Sequence, residues 1–160
     1  MTSKRLAGLT LIELVIVLAL MAAFAGIGAG SLRAAERRSV TDSARVLAAD
    51  IRYTQSMSML EGRRWGVILD RANSAYRIVR TGPAETVKAV NLASGVRIWG
   101  NTNVSSIYYL PRGTVSGSGS IWLTRGRYWQ KLTIVPSAGR VEIKPLVYSK
   151  DGRPPPDEES

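Results

Sequence analysis

A single carboxylate inside a long apolar run limits this chain more than any other feature. Leu9 to Gly30 are twenty-two consecutive positions of which only Glu13 is ionisable. That is enough for one helix to cross the roughly 30 Å hydrocarbon core of a bilayer. The run opens Gly8-Leu9-Thr10-Leu11-Ile12-Glu13-Leu14-Val15-Ile16-Val17-Leu18, behind a short leader that carries Lys4 and Arg5. Positive charge on the short side of such a helix predicts an N-terminus kept in the cytoplasm and a C-terminal part outside it. An acid at membrane depth costs on the order of 3 kcal/mol to insert. Glu13 therefore needs either a cationic partner or a place near enough to the interface to snorkel.

Two kinds of processing suit such a segment. A secretory signal is cut behind its apolar run at a small-residue site, and Ser31-Leu32-Arg33-Ala34-Ala35-Glu36 offers one. The other follows from a resemblance. Gly8, Leu9, Thr10, Leu11, Ile12, Glu13 and Leu14 are similar to the class III leader of type IV pilins and type II secretion pseudopilins. That pattern is a glycine, usually a phenylalanine, and then Thr-Leu-Ile-Glu-Leu; here Leu9 stands where phenylalanine is usual. The resemblance implies a prepilin peptidase that cuts between Gly8 and Leu9, N-methylates Leu9 and leaves the apolar helix on the mature chain. It also implies that Glu13 neutralises the new α-amine of a neighbouring subunit during assembly. Two opposite charges entering lipid together cost less than either alone.

Length and composition fit one membrane helix and one modest globular domain: 160 residues, 45% hydrophobic. The chain has neither cysteine nor histidine. Disulfides, thiol nucleophiles and thiolate metal sites are thereby excluded, and the usual general base and commonest metal ligand are missing. No enzyme, metal site, cofactor or small-molecule substrate is expected. The net charge of +10 suits acidic partners, whether nucleic acid, anionic lipid or an acidic protein face.

Past Gly30 helix formers continue without proline to about Glu61. Val40, Ala44, Leu47, Ile51 and Ser58 recur at helical intervals, with Val46, Tyr53, Met57 and Leu60 expected to widen the stripe. Arg37, Arg38, Asp42, Arg45, Asp50 and Arg52 are expected on a solvated face, with Arg38 and Asp42 spaced for weak support. Unbroken from Leu9 to Glu61, the helix would be about 80 Å long, with a kink conceivable at Gly26, Gly28 and Gly30. Glu61-Gly62 reads as its stop. Beyond it the period changes to two. Strands are predicted at 65–69, 75–79, 86–92, 96–99, 107–110, 120–124, 128–135 and 140–145, the first two forming a hairpin about Asp70 to Ser74. Gly113 to Ser120 reads as a flexible connection. Its glycines lack the lysine and helix of a phosphate-binding loop.

Helix before strands predicts an α+β protein, an antiparallel β-rich domain laid on the long helix. The expected organisation is a leader at 1–8, a membrane and filament-core helix at 9–31, its amphipathic continuation at 32–61, a β-rich domain at 62–150 and a disordered tail at 151–160.

A second resemblance lies in the C-terminal half. Tyr109-Leu110-Pro111-Arg112-Gly113-Thr114, Ile121-Trp122-Leu123, Lys131-Leu132-Thr133-Ile134-Val135 and Gly139-Arg140-Val141 are together similar to the GspH/FimT family of minor pseudopilins and minor pilins. The resemblance implies a pilin-like fold, placement near a filament tip, and other major and minor pseudopilins or pilins as partners. It also implies residence in the bacterial inner membrane, with the β-rich domain on the periplasmic side. Two readings follow: a minor pseudopilin supporting type II secretion, or a minor type IV pilin, FimT/FimU-like, acting in pilus assembly or DNA uptake. From Arg63 to Arg153 there are fifteen Lys or Arg against four acids. Some family members bind DNA through a basic C-terminal region around a Gly-Arg turn. The candidate DNA-binding residues are Arg125, Arg127, Lys131, Gly139 and Arg140, with Tyr128 and Trp129 available for base stacking. Against this, alternating arginines also keep an exposed sheet soluble, and tryptophans at period two more often belong to a core.

Overall fold

The computed structural model describes residues 11–82, 85–100, 104–117, 119–136 and 138–155, with only the backbone of 25–30 and 100. Gly8 and Leu9 lie outside the described residues. Helix α1 runs Leu11–Glu61, and helical bonding continues through Gly26, Gly28 and Gly30. The chain divides into two compact units, Met1–Ala35 and Glu36–Ser160. Among the described residues no helix is long and apolar enough to cross a membrane. The apolar run is described side chain by side chain only from Leu11 to Phe24 before resuming at Ser31.

In the second unit α1 buries one stripe. Val40, Ala44, Leu47, Ala48 and Ile51 are wholly withdrawn from solvent, as are Thr54 and Ser58. The two hydroxyls lie in this apolar surface because each donates locally or across: Thr54 Oγ1 to the Asp50 carbonyl at 2.7 Å, Ser58 Oγ to the Leu110 carbonyl at 3.1 Å. The helix stops as expected. Gly62 takes φ +61°, which carries no Cβ penalty, and the Arg63 N–H reaches back to the Ser58 carbonyl in a Schellman closure.

Nine strands follow: β1 Trp65–Asp70, β2 Ala75–Arg80, β3 Glu85–Asn91, β4 Arg97–Gly100, β5 Ser106–Tyr109, β6 Val115–Ser116, β7 Gly119–Arg125, β8 Tyr128–Ile134 and β9 Val141–Tyr148. They make two antiparallel sheets, β3-β2-β1-β5-β6 and β4-β7-β8-β9, where the sequence suggested one. The expected β1–β2 hairpin is present, closing at Asp70↔Ala75. Within the supposed flexible connection the short strand β6 pairs with β5. Strand β9 runs past Pro145, which an edge strand accommodates beside the register shift opposite Gln130 and Leu132.

Alternation places Val67 and Leu69 of β1, Tyr76 of β2, Ile98 of β4, Ile107 and Tyr109 of β5, Ile121 and Leu123 of β7, and Leu132 and Ile134 of β8 around the α1 stripe in one core. Each buried aliphatic side chain contributes roughly 1.5–3 kcal/mol.

Three expectations fail on the helix. Val46, Tyr53 and Leu60 do not widen the buried stripe; they are 48%, 45% and 79% exposed. Asp50 is not on the solvated face but only 8% exposed. Asp42 pairs with Arg45 at 3.6 Å, one turn onward, and not with Arg38.

Candidate functional site

Glu13, expected to act in assembly, stands near the start of the described part of α1. Around it Leu11, Ile12, Leu14, Val15, Ile16, Val17 and Leu18 are all 46–81% exposed. A helix apolar on every side is stable only when something apolar surrounds it. Among the described residues Glu13 has no ion-pair partner.

Asp50 is the ionisable group that sequence reasoning misplaced. Its carboxylate accepts from the Tyr76 hydroxyl at 2.6 Å and from the Lys88 ammonium at 2.7 and 2.8 Å. Lys88 lies on edge strand β3 and bends inward to reach the helix. Burial, and then the hydrogen bond to Asp50, push the Tyr76 phenol well above its ordinary range. Nothing local signals this cluster, since the partners lie 26 and 38 residues away.

The five candidate DNA-binding residues do not converge. Arg125 ends β7 on the core side; its guanidinium donates to Ser39 Oγ at 3.0 Å and lies against Gly95. Arg127, two residues on in the β7–β8 turn, is exposed and donates to the Tyr148 hydroxyl at 3.2 Å. Lys131 is on the outer face of the second sheet, 5.6 Å above the Trp122 ring. Gly139 and Arg140 are at the other end of β8, in the β8–β9 turn. At about 3.3 Å per residue the two turns are separated by more than 20 Å.

Gly139 has a role in the fold. Its φ is +61°, its carbonyl accepts from the Tyr109 hydroxyl at 2.7 Å, and an added Cβ would lie 2.8 Å from Gln55 Nε2 and 2.9 Å from the Gly113 carbonyl oxygen. Gln55 Nε2 in turn donates to the carbonyls of Gly113 and Ala138 at 3.0 and 3.1 Å, fastening the β5–β6 and β8–β9 turns to the helix. Burial raises the Tyr109 phenol to about 12. Arg140 is exposed and pairs with Glu142 at 2.9 Å. That hydrogen bond, with the charge of Lys144, holds the Glu142 carboxyl below its usual range.

The tryptophans divide. Trp122 and Trp129 are buried in edge-to-face contact, while their neighbour Trp99 is 54% exposed. Trp65 is buried separately, with its indole N–H donating to Glu61 Oε2 at 3.1 Å. Among the described residues no three His, Cys, Asp or Glu gather as metal ligands.

A long helix roofed by two antiparallel sheets, with an apolar N-terminal segment that presents a lone acid, defines a pilin-like subunit. The chain belongs to the family described as Type II transport protein GspH, whose model matches residues 43–142. The type IV minor pilin FimU of Pseudomonas aeruginosa shares the fold at a TM-score of 0.59 and 17% identity, over 69% of this chain and 91% of that one. The minor pseudopilin EpsH from the type 2 secretion system of Vibrio cholerae gives 0.58 at 11% identity, over 66% and 96%. A search of curated protein sequences finds no significant match.

Proposed function

We propose that the chain is a minor pseudopilin of a type II secretion pseudopilus, processed by prepilin peptidase between Gly8 and Leu9 and assembled near the filament tip. The observation that carries the reading is Glu13, the one acid in an exposed apolar helix surface and unpartnered among the described residues. Before assembly that surface is covered by the inner membrane; afterwards it is covered by the helices of other pseudopilins. Burial of Glu13 is then tolerable only beside a cation, and the Leu9 amine of an adjacent subunit supplies one. The β-rich domain lies on the periplasmic side. On this reading the subunit works by assembly.

Expression of the full chain in cells with the matching machinery tests this. Gly8→Val leaves the leader attached, whereas Glu13→Ala is cleaved before Leu9 and methylated but reaches filaments at less than about a tenth of the normal level, as loss of one buried charge partner predicts. Mass spectrometry reads the first outcome and immunoblots of sheared filaments the second. A mature N-terminus behind Ala35, or normal incorporation of Glu13→Ala, overturns the reading.

The second reading, a minor type IV pilin that binds DNA, draws on the same leader and on the fifteen basic residues against four acids from Arg63 to Arg153. Loss of secretion with pili intact, on deletion of the chain, favours the pseudopilus; the reverse favours the pilus.

A further inference from the structure

The face of the second sheet that is turned away from α1 carries a buried tryptophan that the core does not explain. Val147, Trp129, Thr124 and Arg97 lie side by side across β9, β8, β7 and β4, and Lys131, Trp122 and Trp99 make the next row. Ile98, Leu123 and Leu132, which alternate with them, are the residues that enter the core. Trp129 is nevertheless only 2% exposed, and its indole N–H has no acceptor among the described residues. A buried donor left unpaired is costly, so this ring calls for an apolar cover that brings an acceptor and no further donor.

Proline is such a group, since it keeps its carbonyl and lacks an N–H. Strand β9 ends at Tyr148, one residue past Val147. Beyond it the Ser149 N–H donates to the Arg127 carbonyl at 2.8 Å, Gly152 turns the chain at φ +66°, and Pro154 and Pro155 are half-buried. The sequence continues Pro156-Asp157-Glu158-Glu159-Ser160, outside the described residues. A run of prolines is extended before it binds, so little conformational freedom is lost when it lies on aromatic rings. From Pro154 to Glu159 such a run reaches roughly 15 Å, against about 14 Å for the three strand spacings from β9 to β4. The three acids then arrive at Arg97, which is exposed and in no ion pair among the described residues.

We infer that Pro154 to Glu159 is a built-in ligand of this face, its prolines on Val147 and Trp129 and its acids at Arg97. The clasp shields an aromatic patch whose exposed member is Trp99, and a proline-rich acidic sequence is the chemistry that the face recognises. It does not depend on which filament the subunit serves.

The sequence has no cysteine, so one nitroxide can be placed in the full chain at Ser160→Cys. With isotope-labelled tryptophan and the protein in detergent, the indole signals of Trp129 and Trp99 are expected to weaken severalfold relative to the reduced label. The Trp65 signal should stay. Trp65 is bonded to Glu61, about 33 Å along α1 from Ser39, where Arg125 brings the end of β7 to the helix. Arg97→Glu should restore most of the lost intensity, and so should Pro154→Ser with Pro155→Ser and Pro156→Ser, while the unchanged Trp65 signal shows that the fold is kept. Full intensity at Trp129 and Trp99 with the label oxidised overturns the inference, as does weakening that survives both sets of variants. In a mixture of nitroxide-bearing chains and isotope-labelled chains without nitroxide, weakened Trp129 and Trp99 signals assign the cover to a second copy and overturn it too.

Discussion

Asp50 on α1 and Lys88 on the edge strand β3 form a bridge of 2.7 Å that fastens the margin of the first sheet to the helix. The Lys88 side chain is 47% exposed but that of Asp50 only 12%, so the two partners are not equivalent. Lys88→Ala removes a screened interaction and should cost about 1 kcal/mol or less. Asp50→Ala also leaves the buried Tyr76 hydroxyl without its acceptor and should cost about 2–3 kcal/mol. Urea unfolding of the full chain in detergent, with the double variant to close the cycle, measures both. Equal losses for the two single variants would show that Tyr76 does not depend on the carboxylate.

Tyr76 and Tyr109 make the fold sensitive to alkali. Both phenols are raised by burial, Tyr109 to about 12. The unfolded chain releases these protons near pH 10 and the folded chain later. Their contribution is therefore complete below pH 10 and is lost as pH rises through the folded values. Each contributes a fall of roughly 1.4 kcal/mol per pH unit in that window. Unfolding midpoints at pH 9, 10 and 11 should decline, and Tyr109→Phe should remove about half the slope between pH 10 and 11.

Gly139 and Arg140 are neighbours whose substitutions should part company. Gly139→Ala forces a side chain into a left-handed conformation and against Gln55 and the Gly113 carbonyl; a loss of about 2 kcal/mol or more is expected. Arg140→Ala, exposed and paired only at the surface, should stay within about 0.5 kcal/mol. Thermal melts give both numbers. If the basic domain contacts DNA phosphates through Arg140, the same variant should lower the salt dependence of DNA affinity by about one unit of slope. An unchanged slope assigns the arginine to surface charge alone.

What could be read in the sequence was what repeats along it. The α1 stripe of Val40, Ala44, Leu47, Ile51 and Ser58, the Gly62 stop and the β1–β2 hairpin depend on residues within a few positions of each other, and all are found. Asp50 and the exposed Val46, Tyr53 and Leu60 share the helical spacing of the core. Only the paths of β2 and β3, which bring Tyr76 and Lys88 to the helix, decide which apolar stripe is covered and which acid is buried. Division into two sheets was illegible for a similar reason. Strands β4 and β5 read alike, yet β4 pairs with β7 and β5 with β1. The basic residues near the β7–β8 turn are close in sequence, but strand alternation sends Arg125 to the core side and Lys131 to the outer face.

Gly66 carries one signal that was present and unused, a glycine inside an otherwise bulky strand, which often marks a close approach. The Tyr108 ring of β5 lies across it where the two residues pair, and the Arg64 guanidinium stacks 4.2 Å above that ring. A Cβ at Gly66 would overlap the ring, so Gly66→Ala should destabilise by about 1–3 kcal/mol despite the better strand propensity of alanine. Because the conflict is with one side chain and not with the fold, Tyr108→Ala should be less harmful in the Gly66→Ala background than in the parent. Unfolding free energies of the two single variants and the double variant give the coupling, and strictly additive losses would show that the ring moves aside freely.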